Sequence, residues 1–184
     1  TLMGLYWQRQ ERYDLALVYL HAAARADEDN PALQAEIGNT LGLLGNISAA
    51  EIHYQRAVEF APNDPTFWQS LANFYIKYEN NLSEKGLQAA RQALILDKSN
   101  PTSLDLLAQM YLLLDSPLIA RRFIARALEH DPEFLPAHLH LGLIYILEGQ
   151  KLDAYQRFSY VQSKAPETSA ISEQARRLLD THFP

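Results

Sequence analysis

Residues 141–158 read LGLIYILEGQKLDAYQRF. The three-residue spacing from Gly142 to Tyr145 and the four-residue spacing from Ala154 to Phe158 each place a pair on one face of a helix. Gly149 stands between the two segments as a turn residue. The stretch predicts two antiparallel helices, roughly 136–148 and 151–164. The same pattern recurs along the chain. Small residues followed seven later by another small or aliphatic one occur at Ala16 and Ala23, Ala50 and Ala57, Gly86 and Ala93, Ala120 and Ala127, and Ala154 and Val161. Their leading members stand 34, 36, 34 and 34 residues apart. A second small series runs Gly4, Gly38, Ala72, Ala108 and Gly142. Before each comes an apolar residue (Met3, Ile37, Leu71, Leu107, Leu141), and three after each a large one (Trp7, Leu41, Tyr75, Tyr111, Tyr145). Small residues let two helices approach, and large ones fill the space between neighbouring pairs. Pro62, Pro132 and Pro166 close three units, with Glu28 and Lys98 in the other two.

These columns resemble the tetratricopeptide repeat family over nearly the whole chain. The fifth unit carries the likeness best, through Leu141-Gly142, Tyr145, Gly149, Ala154, Phe158 and Pro166. The second follows closely, with Ile37-Gly38, Gly45, Ala50, Tyr54, Ala57 and Pro62. Alanine replaces the usual aromatic at Ala90, and Arg121-Arg122 follows Ala120. The resemblance implies an all-α, right-handed α-solenoid of about five helix pairs plus a C-terminal capping helix. The expected units are approximately 1–30, 31–64, 65–100, 101–134 and 135–168, one array over 1–184, with the cap at 169–181. In that cap Ile171, Ala175, Leu178 and Leu179 share one face, and Arg176 blocks a further unit. Two extra residues fall between Tyr75 and Gly86. Asn81 with Glu84 fits a capping box there, and the longer turn is expected to protrude. The chain starts within the expected first helix, so a fragment of a longer protein is expected.

Composition agrees with a folded domain and removes several kinds of chemistry. The 184 residues are 48% hydrophobic and 21% charged, with a net charge of −6. An acidic balance opposes general binding to phosphate backbones. The chain has no cysteine, which excludes thiolate metal sites and thiol catalysis. No apolar run is long enough to span a bilayer. The six histidines form neither H-x-x-x-H nor H-E-x-x-H, and His138 and His140 point apart on a helix. No phosphate-binding glycine loop or nucleophile elbow occurs. Carboxylate pairs such as Glu28-Asp29 read as solvated turns, and Arg122 with Arg126 as solvated helix surface. No catalytic residue, cofactor or metal is expected.

The resemblance implies a concave groove lined by the first helix of each unit, where a partner peptide or helix lies. The expected groove residues are Asn39, Gln69, Asn73, Lys77, Gln109, Leu112, Leu113, Leu139, Leu143, Ile146 and Leu147. Asn39, Asn73 and Gln109 recur at one place in successive units, where an amide can pair with an extended peptide backbone. The six apolar residues read as surplus to the core and mark a partner or self-association face. Family members that grip chaperone tails use lysine, arginine and asparagine at positions held here largely by Ala35, Gln69, Ser70, Asp105 and His140. Only Asn39, Asn73 and Lys77 resemble that clamp, so chaperone-tail binding is not expected. The function expected is a non-catalytic protein-interaction scaffold. The alternatives are a recruiting module of a larger enzyme whose chemistry lies outside these residues, or an oligomerisation module. The expected partner is another protein of unknown identity, with self-association possible and neither nucleic acid nor membrane insertion involved. The sequence does not name a compartment, although a cytoplasmic one is favoured.

Overall fold

The computed structural model describes residues 1–183. They form eleven α-helices and one π-helical turn: α1 (Leu2–Arg9), α2 (Tyr13–Ala26), α3 (Pro31–Leu43), α4 (Ile47–Phe60), α5 (Pro65–Lys77), the π turn (Leu82–Gly86), α6 (Leu87–Leu96), α7 (Pro101–Leu113), α8 (Pro117–His130), α9 (Leu135–Leu147), α10 (Lys151–Lys164) and α11 (Ala170–His182). No strand occurs among the described residues. The fold is all-α and built from helix pairs. The chain divides into two compact units, Thr1–Leu96 and Asp97–Pro184. The first is a short solenoid of the pairs α1–α2, α3–α4 and α5–α6. The second stacks α7–α8 and α9–α10, with α11 on α10.

Helix starts follow from local chemistry. Asn30, Asp64 and Asn100 are side-chain caps of α3, α5 and α7, accepting hydrogen bonds from the backbone of Leu33, Thr66 and Ser103. Proline follows each cap at the first helical position, where its missing N–H costs nothing. Such a cap contributes about 1 kcal/mol. Turns inside the pairs carry a left-handed residue in second place: Gly45 (φ +81°) and Gly149 (φ +74°), but also Glu11, Glu79 and Asp115.

The small column sets how closely each pair packs. A Cβ on Gly142 would lie 2.4 Å from Cε1 of Phe158, one on Gly38 3.0 Å from the Tyr54 ring, and one on Gly4 2.7 Å from Cγ of Leu20. Where alanine replaces glycine, at Ala72 and Ala108, the residues at the corresponding second-helix positions are Ala90 and Ile124, and all four are fully buried. In the second unit Leu139, Ala154, Phe158, Val161 and Ala175 form one core cluster, on which Ile171, Leu178 and Leu179 of α11 also pack.

The two extra residues of the third pair are absorbed in two places. The turn between α5 and the π turn runs 78–81, one residue longer than the 44–46 turn between α3 and α4. The π turn takes up the other, because its wider ring holds one more residue than an α-turn. The expected capping box is not formed. Asn81 is left-handed (φ 49°) and its side chain makes no cap bond. The segment is instead tied down by Lys85, which pairs with Glu51 of α4. The same carboxylate oxygen accepts from the Tyr75 hydroxyl at 2.9 Å and from Gln55 Nε2 at 3.1 Å. Burial, with the Glu51 bond next, pushes the Tyr75 phenol well above its ordinary value.

Candidate peptide-binding groove

In the first unit, α3 and α5 lie side by side and their polar positions converge. Ala35, Glu36 and Asn39 from α3 and Ser70, Asn73 and Lys77 from α5 line one open cleft of about 290 Å3. Its floor is aromatic. Tyr54 lies 5.2 Å from Phe74, and Phe74 5.3 Å from Tyr78, ring centre to ring centre. Tyr78 can lie there because position 42 is glycine: a Cβ on Gly42 would come within 2.6 Å of its hydroxyl. Burial, followed by neighbouring Tyr78 and Glu36, pushes the Tyr54 phenol well above its usual value, so it stays a neutral donor.

The groups on this floor differ in what they have left to offer. Ser70 already donates to the Thr66 carbonyl at 2.9 Å. Glu36 is held at 3.1 Å by Gln8 of α1, whose Nε2 also donates to Thr40 Oγ1 at 2.7 Å. Asn39 and Asn73 have no side-chain partner among the described residues. Lys77 is exposed and its ammonium lies 5.2 Å from the centre of the Tyr78 ring. Two open amides and one cation above aromatic faces can pair with a peptide backbone, one acidic group and apolar side chains. Gln69, half-buried on α5, does not line this cleft.

The second unit departs from the sequence-based expectation. Gln109 does not present a free amide, because its Nε2 donates to Asp105 Oδ2 at 3.0 Å. Asp105 is 3% exposed, and its other oxygen lies 2.7 Å from Nδ1 of His140 on α9. The polar groups of α7 and α9 are thereby spent on each other. Leu139 is not a groove residue: at 2% exposure it is part of the core cluster. Leu143 and Ile146 are half-buried and pack against that cluster. Leu112 is also half-buried, and only Leu113 and Leu147 remain open, at the last positions of α7 and α9. The apolar surplus expected along the groove is therefore mostly core. α9 is apolar nearly all round, so the pattern alone could not separate its faces.

Elsewhere, a larger cleft of about 690 Å3 opens between α2 and α4 around His21, Arg25, His53 and Arg56. Burial, then the charges of Arg56 and His21, lower the His53 pKa. No cluster of three or more candidate metal ligands occurs among the described residues. None of their helices is long and apolar enough to cross a membrane.

Residues 8–74 match the family model described as tetratricopeptide repeat. No curated protein sequence matches the chain. Solved structures share its fold. A thermophilic TPR protein from Thermus thermophilus superposes with a TM-score of 0.77 at 18% identity, over 96% of this chain and 95% of that one. PilW, described as a widely conserved type IV pilus biogenesis factor, gives 0.77 at 17% identity, over 100% and 92%. MamA gives 0.68 at 16% identity, over 97% of each. At such identities the likeness is one of fold.

Proposed function

From a chain that carries tetratricopeptide repeats, we propose a non-catalytic scaffold that holds an extended partner peptide in the cleft between α3 and α5. The observation that carries this reading is the convergence of Asn39, Asn73 and Lys77 on one floor, with both amides unpartnered among the described residues. Asparagine amides donate and accept at once, so two of them in adjacent pairs fix the backbone of an extended strand-like segment. Lys77 selects a carboxylate, from a side chain or the peptide's C-terminus. The faces of Tyr54, Phe74 and Tyr78 take an apolar or aromatic side chain next to it. The second unit's inner polar groups are already paired, and its role here is support rather than recognition.

Selection from a displayed peptide library tests this directly. Peptides retained by the wild-type protein are expected to be extended and to carry an acidic group beside an apolar residue. Lys77→Ala and Asn73→Ala should each lower their affinity about tenfold, the loss of one charged or paired hydrogen bond. Peptides whose affinity is unchanged in both variants would place recognition elsewhere. A recruiting role within a larger enzyme uses the same cleft.

A further inference from the structure

The exposed apolar side chains of the second unit gather at the tips of its two helix hairpins. Leu113 and Leu147, the last residues of α7 and α9, are 43% and 63% exposed. Leu118 and Leu152, the second residues of α8 and α10, are 74% and 71% exposed. The matching positions of the first unit are polar at the α1–α2 tip, with Arg9 and Asp14, and half polar at the α3–α4 tip, with Leu43 and Ser48. Leucine at all four places is thus a property of this unit and not of the hairpin geometry. The two tips form one edge. Arg121, three residues past Leu118, grips Glu148, one past Leu147, through Nη1 at 3.0 and 2.8 Å from its two oxygens. The guanidinium also lies 5.4 Å from the centre of the Tyr145 ring.

We propose that this edge is where a second copy of the chain docks, through a two-fold axis that sets the α7–α8 tip of one copy on the α9–α10 tip of the other. A two-fold contact needs a surface complementary to itself. The internal repeat supplies one, because each copy carries two leucine pairs one repeat apart. The charges beside them have the signs this pairing needs. The first tip carries exposed Asp115 and, further along α8, exposed Arg122. The second carries exposed Lys151 and Asp153. Asp115 therefore meets the other copy's Lys151 twice across the axis, and Arg122 its Asp153 twice. A lipid surface fits the edge poorly, because Arg121 is held by Glu148 and the exposed Lys151 and Arg122 are balanced by Asp115 and Asp153, which leaves no net positive charge for an anionic headgroup layer. Four leucines fall short of the roughly 800 Å2 per partner of a stable dimer, so the pairing is weak, at tens of micromolar or above.

Sedimentation equilibrium of the protein from about 1 to 500 µM tests this. The weight-average mass of the wild type is expected to climb from monomer toward dimer. Leu118→Asp with Leu152→Asp, both highly exposed, should remain monomeric with an unchanged urea midpoint. Asp115→Lys and Lys151→Asp should each weaken pairing about three- to tenfold, and the two together should restore it. A monomer throughout the range would overturn the proposal. So would dimerisation that survives the two aspartates, or single charge reversals that the double reversal does not rescue. Flotation with phosphatidylserine vesicles that depends on Leu118 and Leu152 would assign the edge to a membrane instead.

Discussion

Nε2 of His138 lies 2.8 Å from the carbonyl oxygen of Pro132, and Nη1 of Arg157 lies 3.2 Å from the ring's other nitrogen. Arginine only donates, so Nδ1 accepts, Nε2 carries the hydrogen, and the ring is neutral. The bridge closes the turn before α9. The same six-residue step is spanned by the Trp68 indole to the Pro62 carbonyl at 2.8 Å and by the Gln34 amide to the Glu28 carbonyl at 3.2 Å. Amide, indole and imidazole thus do one job in three pairs. Leu104 stands at this place in the fourth and has no group to do it. Replacing His138 by Leu should cost about 1–2 kcal/mol in urea unfolding, and replacing it by Gln markedly less. Equal costs for the two would show that the hydrogen bond contributes nothing.

Acid should destabilise the protein through this ring and His53. Burial lowers the pKa of each below the ordinary imidazole value. As pH falls through about 6.5 the unfolded rings take up protons, while the folded ones resist until a lower pH. Stability is therefore full above the unfolded value and declines below it, toward the lowered folded values. Urea midpoints measured from pH 7.5 to 5 should fall, and His138→Gln should flatten the decline. An unchanged pH profile in that variant would remove His138 from the account.

Gly142 and Phe158 form the tightest small–large pair of the array, by the 2.4 Å that a Cβ would leave. Gly142→Ala should cost about 1–3 kcal/mol by overpacking. Phe158→Leu made in the same chain should recover part of that loss, because it shortens the side chain that clashes. Additive losses in a double-mutant cycle would contradict the pairing.

Three turns hold non-glycine residues where two others hold glycine. Glu79, at φ 47°, occupies the place of Gly45 and Gly149. Glu79→Gly removes the left-handed penalty at the expense of chain entropy, a net gain of about 0.5–1 kcal/mol. A rise of a few degrees in thermal midpoint is expected, and a fall would mean the Glu79 side chain is itself stabilising.

The packing columns were legible because they are about volume, and volume repeats with the period. Gly38, Ala72, Ala108 and Gly142 are buried as their spacing implies. The groove was legible only in part. Asn39, Asn73 and Lys77 meet in one cleft, but Gln109 belongs to Asp105, a pairing that depends on where α9 places His140. Leu139 reads as surface in the sequence because a step of one residue turns a side chain by about 100° around the helix, and an all-apolar helix gives no phase marker. The His138 bridge is hidden for another reason. Three unlike side chains share one geometry, and no residue type recurs to reveal it. The extra residues between Tyr75 and Gly86 were countable, but their division between turn and π turn was not.

The central claim is that a partner peptide lies between α3 and α5. It is tested most directly by titrating a library-selected peptide into 15N-labelled protein and following the asparagine side-chain amides. The account predicts that the signals of Asn39 and Asn73 shift together and saturably, and that Lys77→Ala weakens the titration about tenfold. Saturable shifts confined to other residues, with Asn39 and Asn73 unmoved, would contradict it.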